Sequence, residues 1–236
     1  MWNISRNTAD STKFCKRCFN AGESIVDICD LGTVRYEDAL RFQTGLVRKR
    51  MEGEAPDTLI VAEHDPVVTL GRTAEENSII DRGFFKKRNI PVILSGRGGK
   101  VTYHAPGQLV LYPIVDLGEK KRDITFYIDF LEKTVAKSLN RLDVPAGRVS
   151  EKRGVWVRGR KIAFIGIAVK RWITFHGVAV NINNDIEPFG CMHPCGESDI
   201  RVTSAKEQLG REIDMIEARK VFAEQFEKDL AREKWN

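Results

Sequence analysis

The chain has 236 residues, of which 42% are hydrophobic and 30% charged, so it can bury one substantial core and has the composition of an ordinary globular protein. Its 38 basic and 33 acidic residues leave a net charge of +5, and no arginine-rich or aromatic-studded basic segment occurs, which argues against nucleic acid as a partner. No apolar run approaches the length that crosses a bilayer, so no membrane association is predicted.

The cysteines and the first residues bear on the compartment. Five cysteines, an odd number, argue against a closed disulfide framework and for a reducing environment. The segment MWNISRNTADSTKFCKRCF lacks the apolar core of a secretory signal. Its Arg, Lys and Ser residues leave an organelle transit peptide open, although Asp10 counts against one. We predict a cytoplasmic protein.

Periodicity divides the chain into an extension and one domain. Residues 1–28 show no convincing pattern and are predicted to be an extension that carries Cys15 and Cys18 at C-x-x-C spacing, whereas residues 29–236 are predicted to fold together. The predicted elements, in chain order, are a helix from Tyr36 to Met51, strands within 57–64, 65–72, 91–95 and 109–115, a helix from Tyr127 to Leu142, a hairpin over 154–169 that turns at Arg158 and Gly159, a strand over 173–182, a short helix that Ser204 caps and Gly210 ends, and a helix from Ala218 to Leu230.

This order of elements indicates the fold class. Strands and helices alternate irregularly, two strands form a hairpin, and the strands at 91–95 and 109–115 are apolar enough to be buried. A regular βαβ array would not contain such hairpins. We therefore predict an α+β fold in which helices flank a mixed β-sheet.

The segment RGGKVTYHAPGQ, residues 97–108, is polar and glycine-rich although it lies between two predicted strands. Gly98 and Gly99 let backbone approach a ligand and leave N–H donors available. Arg97 offers a cationic group, while Tyr103 and His104 supply a polar wall. A glycine-rich bulge without a ligand is the alternative, and the density of polar side chains makes it the less favoured one.

A second candidate segment is CMHPCGESD, residues 191–199. Cys195 lies between a rigid proline and a permissive glycine, and as a nucleophile its thiol would need a nearby cation or helix N-terminus. A buried structural cysteine is the alternative. Cys191, His193 and Cys195 could instead ligate a metal, but alternate residues of an extended chain point opposite ways, so no metal site is predicted. Lys161 would ordinarily face solvent, unless the fold brings it to Cys195.

Five segments occur in this order along the chain: VAEHDPVVTLGR, RGGKVTYHAPGQLVLYPIVDL, RKIAFIGIAV, TFHGVAVNIN and HPCGESDIRVTS. Together they resemble one family, the octanoyltransferases of lipoate biosynthesis. The resemblance extends from about Cys29 to the last helix. It implies the fold of biotin and lipoate protein ligases. It also implies octanoyl transfer from acyl carrier protein to a lysine of lipoyl domains, those of 2-oxoacid dehydrogenase complexes and the glycine cleavage H protein, with no cofactor.

The resemblance also implies roles for particular residues. Cys195 would carry the acyl group as a thioester, and Lys161 would activate it and later handle the proton of the incoming amine. The implied substrate-binding residues are Arg97, Gly98, Gly99, Lys100, Val101, Thr102, Tyr103, His104, Phe164, Ile165, Gly166, Gly177, Val178 and Ala179. Ala105 departs from the family's usual glycine, and its methyl group would crowd the turn or demand a negative φ.

Three other classes stay as alternatives. A lipoate or biotin protein ligase of the same fold activates its acid with ATP and needs no cysteine, so Cys195 favours the transferase. A catalytically idle scaffold would have little reason to keep Lys161, Cys195, Arg97 and His104 together. A zinc-binding module would use the cysteines and would be exposed by metal analysis.

Overall fold

The structure is a computed structural model that describes residues 17–18, 25–194 and 200–235. Its strands are β1 (Arg17–Cys18), β2 (Asp27–Val34), β3 (Thr58–His64), β4 (Val67–Leu70), β5 (Val92–Leu94), β6 (Val101–His104), β7 (Gln108–Ile114), β8 (Gly147–Val149), β9 (Lys152–Val157), β10 (Arg160–Lys170) and β11 (Ile173–Asn181). Its helices are α1 (Tyr36–Met51), α2 (Arg82–Lys87), α3 (Ile124–Asn140), α4 (Ala205–Leu209) and α5 (Met215–Arg232), with 3-10 turns at Glu76–Ser78 and Glu187–Cys191.

The larger sheet has eight strands in the order β1-β2-β3-β7-β11-β10-β9-β8. The β2–β3 pair is parallel and the other pairs are antiparallel, so the sheet is mixed. Strands β3 and β7 are buried along their whole length, as central strands covered on both faces should be. The predicted α+β fold with a mixed sheet flanked by helices is confirmed.

Helices cover both faces of the large sheet. Apolar side chains of α3 and α5, including Phe130, Phe222 and Phe226, form the larger core against one face. On the opposite face α1 packs its buried residues Ala39 and Val47 against β2, β3 and β7. None of the helices in the described parts of the chain is both long and apolar enough to cross a membrane.

A second sheet of three strands, in the order β5-β4-β6, was not predicted. It has its own apolar cluster, in which Phe85 of α2 and Phe189 of the second 3-10 turn pack on Val68 and Tyr103. The prediction of a buried strand at 91–95 is wrong. β5 is an edge strand with Val92 39% and Leu94 82% exposed, because apolar content alone does not say whether a strand has neighbours on both sides.

Local signals for turns and caps are confirmed. Arg158 and Gly159, between β9 and β10, have φ of 48° and 75°, as a two-residue hairpin turn requires. The Ser204 hydroxyl accepts a hydrogen bond from the backbone of Glu207, and Gly210 ends α4 with φ 67°. The division at residue 28 stays a prediction, and β2 begins at Asp27, one residue before that division.

Candidate active site

A cleft lies where the large and small sheets meet. The empty space between its walls, open solvent at the mouth included, is about 490 Å³. From the large sheet, Phe164, Ala179 and Val110 contribute to it from three neighbouring strands, since Phe164 pairs with Ala179 and Ala179 with Val110. The small sheet and the loop before it contribute residues within 97–104.

Most of the predicted binding residues share this cleft. Those that line it are Arg97, Gly99, Lys100, Val101, Thr102, His104, Phe164, Ile165, Gly166, Gly177, Val178 and Ala179. Gly98 and Tyr103 are not among the lining residues. The Gly98 N–H donates to the carbonyl of Ile167 at 2.8 Å, and the Tyr103 ring packs against Phe189. The glycine-rich loop is therefore docked on β10, and Tyr103 belongs to the small core.

Two glycines of the large sheet allow close backbone approaches, Gly166 to the glycine-rich loop and Gly177 to β7. Gly166 and Gly177 are paired on β10 and β11. A Cβ on Gly166 would lie 3.0 Å from the carbonyl oxygen of Gly98, and one on Gly177 would collide with the carbonyl oxygen of Leu111. Glycine at both positions thus lets neighbouring backbone come close, which is one of its recurrent uses.

The Arg97 side chain is buried, and its guanidinium is hydrogen-bonded to Thr69. It is 8% exposed, and its guanidinium donates to the carbonyl of Thr69 at 2.6 Å and to the hydroxyl of the same residue at 2.9 Å. The Gly71 N–H donates to Lys100 and the Arg72 N–H to Arg97. The end of β4 and the two residues after it therefore hold the glycine-rich loop in place, so the TLGR and RGG segments lie side by side.

His104 is a neutral hydrogen-bonding link. Gln108 Nε2 donates to the Tyr103 carbonyl and to Asn181, so Gln108 Oε1 accepts from His104 Nδ1 at 2.8 Å. His104 Nε2 then accepts from the Thr69 hydroxyl at 3.3 Å. Burial first, and the neighbouring His64 and Arg97, hold the pKa of His104 well below its usual value. Its imidazole is therefore uncharged at neutral pH.

The same network continues to Lys161. Asn181 Nδ2 donates to the Thr203 carbonyl at 3.0 Å, and the Thr203 N–H donates to the Lys161 carbonyl at 3.0 Å. The Lys161 N–H in turn donates to Arg201 at 2.7 Å. Residues 201–203 are thereby bound alongside the start of β10, and the cleft and Lys161 are connected by one chain of hydrogen bonds.

The Lys161 side chain is buried among aromatic rings. Lys161 is 3% exposed, and its Nζ lies 5.1 Å from the centre of the Phe164 ring and 5.5 Å from that of Trp156. A Cβ on Gly154 would lie 2.6 Å from Lys161 Cε. The Gly154 N–H is fixed by the buried Glu132 carboxylate at 2.7 Å. Lys161 therefore points into the protein and does not face solvent, as a lysine beside a hairpin turn ordinarily would.

Cys195 and residues 196–199 lie outside the described residues, which end at Pro194 and begin again at Ile200. Pro194 forms a bridge with Val101, which lines the cleft, and Val202 forms a bridge with Lys161. Cys191 is described and half-buried, and its pKa is raised by burial and by the Asp81 and Glu187 carboxylates. Among the described residues no cluster of three His, Cys, Asp or Glu side chains is arranged to hold a metal.

Ala105 fits its turn. It is 5% exposed, its φ is not positive, and its carbonyl accepts the Gln108 N–H at 3.1 Å. The left-handed position of this turn is occupied by Gly107, at φ 83°, whose Cβ would meet the backbone of Asn183 and Asn184. An alanine at 105 is therefore accommodated without strain.

Four further residues line the cleft that the sequence did not single out. They are Tyr36, Val110, Tyr112 and His176. Tyr36 and Tyr112 lie in a predicted helix and a predicted strand, and their hydroxyls form hydrogen bonds of 2.6 Å with Ser95 and His64. His176 directly precedes the predicted Gly177, so the TFHG segment already carried a signal for it.

Comparison with known proteins agrees with this geometry. The model of the lipoyl protein ligase A/B catalytic domain matches residues 35–227. An octanoyltransferase of Geobacter sulfurreducens is 41% identical over 199 residues, 84% of this chain and 82% of that protein. An octanoyltransferase of Alkaliphilus metalliredigens is 40% identical over 211 residues, 87% of this chain and 97% of that protein.

Solved structures share the fold at low identity. A lipoate-protein ligase A bound with ATP has a TM-score of 0.73 at 18% identity and covers 89% of this chain and 86% of its own. A biotin protein ligase of Aquifex aeolicus has a TM-score of 0.52 at 13% identity and covers 90% of this chain and 72% of its own. The predicted ligase-like fold is confirmed.

The chain belongs to the lipoyl protein ligase A/B catalytic-domain family. Its relatives confirm the family that the sequence resembles, the acyltransferase class, and octanoyl transfer in protein lipoylation as the function. The roles of individual residues in that reaction stay predictions.

Proposed function

We propose that this protein moves an octanoyl group from the phosphopantetheine thioester of acyl carrier protein to a lysine of a lipoyl domain, through a thioester on Cys195. One observation carries the proposal. The RGG segment lines a cleft, and the buried Lys161 amine lies 5.1 Å from the ring of the cleft residue Phe164. Pro194 and Val202, which precede and follow Cys195 in the sequence, are bridged to Val101 and Lys161. Sequence identity of about 40% to octanoyltransferases supports the acyl group.

The lining of the cleft suits a short saturated acyl chain. Phe164 and Ala179 line it from the large sheet, and Val110 adds a further apolar side chain. Contact with such side chains removes the chain's methylene groups from water, which stabilises binding by ~0.8 kcal/mol per buried CH₂. Thr102 Oγ1 also lines the cleft and has no hydrogen-bond partner among the described residues, so it is available to the acyl carbonyl.

The first half-reaction is an exchange of thioesters. The Cys195 sulfur attacks the acyl carbonyl, the carbon–sulfur bond to phosphopantetheine breaks, and octanoyl-Cys195 forms. Lys161 takes the proton of the Cys195 thiol, its positive charge then stabilises the thiolate, and it returns the proton to the departing phosphopantetheine thiol. Burial beside Phe164 and Trp156 keeps water away from this amine.

The second half-reaction forms an amide. The lysine amine of the lipoyl domain attacks the octanoyl-Cys195 carbonyl, and the bond to sulfur breaks. The proton lost by that amine passes through Lys161 to the Cys195 sulfur, which restores the starting enzyme. An archaeal ligase of this fold has been solved in a study with its E2 lipoyl domain, at a TM-score of 0.71 and 19% identity.

Mass spectrometry tests the proposal. The protein is incubated with octanoyl-acyl carrier protein, without ATP, and its mass is measured intact and again after digestion. We expect an octanoyl adduct that hydroxylamine or excess thiol removes, on the peptide that contains Cys195. An adduct that forms only from free octanoate with ATP would show a ligase instead. An adduct on another residue would overturn the assignment of Cys195.

A further inference from the structure

His176 is the least satisfied polar side chain of the cleft. It is 2% exposed and lines the cleft, and neither Nδ1 nor Nε2 has a hydrogen-bond partner among the described residues. Buried polar groups in folded proteins are paired in the great majority of cases. Both nitrogens are therefore available to a bound molecule or to solvent in the cleft.

The backbone holds the imidazole on the cleft side of the sheet. His176 has φ 55°, in the left-handed region, and its N–H donates to Gln43 Oε1 of α1 at 2.8 Å. Successive side chains of a regular strand point to opposite faces. Here the rings of Phe175 and His176 are only 4.9 Å apart, so the alternation is broken at this residue.

Strand register places His176 at the end of the cleft away from Lys161. Phe164, whose ring lies 5.1 Å from Lys161 Nζ, pairs with Ala179, whereas His176 pairs with Ile167. Phe164 and Ile167 are three residues apart on β10, about 10 Å at ~3.3 Å per residue. An extended acyl chain that starts beside Lys161 therefore runs toward His176.

The imidazole is uncharged in this position. Burial first, and then the positive charges of Arg97 and Arg72, lower the pKa of His176 to about 4. A neutral imidazole carries one N–H donor and one acceptor nitrogen. The end of the cleft therefore presents a donor and an acceptor without a charge.

We propose that His176 determines the acyl specificity of this site. Its two ring nitrogens hydrogen-bond water, or a polar group at the far end of the acyl chain, and so disfavour saturated chains long enough to reach it. The inference rests on the proposed function, because it assumes that the acyl carbonyl lies beside Lys161. It names a substrate class: saturated chains that end short of His176, and longer chains that carry a terminal hydroxyl.

The physical reason is a difference in pairing. The terminal methyl group of a longer saturated chain would displace the water that pairs with the His176 nitrogens and cannot form a hydrogen bond in its place. A buried polar group left without a hydrogen bond costs free energy. A shorter chain leaves room for a water, which needs polar partners of this kind. A terminal hydroxyl can both donate and accept, so it replaces that water.

Competition between acyl thioesters tests the inference. The wild-type protein is given acyl carrier protein loaded with hexanoyl, octanoyl, decanoyl, dodecanoyl or 10-hydroxydecanoyl groups, and acyl transfer to a lipoyl domain is measured as kcat/KM. We expect a maximum at octanoyl, a decline of about tenfold or more at decanoyl, and a recovery of about tenfold for 10-hydroxydecanoyl over decanoyl, equivalent to ~1.4 kcal/mol.

Two variants test the polarity: His176→Leu is close to histidine in volume and apolar, whereas His176→Asn is smaller and polar. In His176→Leu the ratio of decanoyl to octanoyl should rise about tenfold and the advantage of the hydroxyl should disappear. His176→Asn keeps a donor and an acceptor and tolerates positive φ. In this variant the decanoyl-to-octanoyl ratio of kcat/KM and the advantage of the terminal hydroxyl should both stay near the wild-type values. Thermal unfolding of each variant confirms folding, and a ratio of two substrates on one protein is insensitive to partial loss of folded enzyme.

The outcomes separate this inference from the proposed function. No octanoyl transfer by the wild-type protein contradicts the proposed function. Octanoyl transfer with the same chain-length profile in wild type, His176→Leu and His176→Asn overturns the role of His176 alone. If the leucine variant does not fold, absence of any hydroxyl advantage in the wild-type protein overturns it as well.

Discussion

At the scale of single residues, the surroundings of Cys191 argue against it as the nucleophile. The Cys191 pKa is raised by burial and by Asp81 and Glu187, so its thiol stays protonated at neutral pH. Cys195 follows Pro194, which is bridged to the cleft residue Val101. A thiol that is to attack a thioester must supply thiolate, and the setting of Cys191 opposes it.

We predict that Cys195→Ser abolishes octanoyl transfer and adduct formation, whereas Cys191→Ser keeps most of the activity. The measurement is transfer to a lipoyl domain, together with intact mass after incubation with octanoyl-acyl carrier protein. Cys191→Ser serves as the matched control. Loss of the adduct in that variant, with its retention in Cys195→Ser, would reverse the assignment.

Substitution of Lys161 separates its charge from its proton transfer. We predict that Lys161→Arg still forms octanoyl-Cys195, slowly, but does not pass the octanoyl group on, because a guanidinium does not release its proton in proteins. Lys161→Ala should be poor at both steps. Pre-loaded enzyme mixed with a lipoyl domain measures the second step alone, and brisk transfer by the arginine variant would leave Lys161 a purely electrostatic role.

At the scale of elements, the β9–β10 hairpin positions Lys161. Gly154 on β9 has φ 102°, and a Cβ there would lie 2.6 Å from Lys161 Cε and 2.5 Å from the Ala163 carbonyl. The register of the hairpin shifts between Lys161 and Ala163. Glu132 of α3, 1% exposed, fixes the Gly154 N–H. The position of the amine thus depends on a glycine that sequence reasoning passed over.

We predict that Gly154→Ala lowers octanoyl transfer by about tenfold or more and lowers stability by more than ~1 kcal/mol, since the new methyl group displaces Lys161 and the positive φ is strained. Gly147→Ala on β8 is the control, because nothing lies within 4 Å of its Cβ. Transfer rate and the urea midpoint of both variants give the comparison. Equal behaviour of the two would contradict the role assigned to Gly154.

At the scale of the whole molecule, three buried histidines link stability to pH. Burial lowers the pKa of His64 and of His176 to about 4 and that of His104 well below its usual value. Each is neutral in the folded state and takes up a proton more readily when unfolded. The stabilisation by neutral histidine is therefore complete above the unfolded pKa of ~6.5 and is lost as the pH falls toward the folded value.

We predict that the free energy of unfolding is nearly constant from pH 8 to 7 and falls below pH ~6.5, by up to ~1.4 kcal/mol per pH unit for each such histidine. Urea unfolding between pH 7.5 and 4.5 measures it. Carboxylates add their own dependence, so His176→Asn supplies the control, and its stability should fall less steeply with decreasing pH. An identical slope in the variant would show that His176 is not protonated on unfolding.

The N-terminal boundary also belongs to this scale. Val26 and Ile28 are 0% and 4% exposed in the main core, and the Asp27 N–H donates to Asp57 at 2.9 Å. We predict that removal of residues 1–24 keeps folding and transfer, whereas removal of residues 1–28 lowers stability by several kcal/mol, at ~1.5–3 kcal/mol for each buried aliphatic side chain. Thermal unfolding of both truncated proteins measures the difference. Loss of activity on removing residues 1–24 would assign those residues, Cys15 and Cys18 among them, a working role.

The sequence by itself determined whatever depends on near neighbours along the chain. The helices at Tyr36–Met51 and Met215–Arg232, the turn at Arg158 and the cap at Ser204 all follow from spacing and local hydrogen bonding. The motif segments also identified the family, because several separated segments agree in order and spacing. Residues of the RGG segment line the cleft, and their role in binding substrate stays a prediction. The membership of residues 101–104 in a second sheet was not visible in the sequence.

Only the tertiary structure decided where those segments meet. Three features depend on residues distant in the chain: the exposure of β5, the burial of Lys161 beside Phe164 and Trp156, and the lack of hydrogen-bond partners for the His176 nitrogens among the described residues. Apolar content and alternation describe one strand at a time, and they do not say which strand lies beside it or what covers its face. A lysine beside a hairpin turn became a buried amine because β9, β10 and residues 201–203 enclose it, which no local pattern encodes.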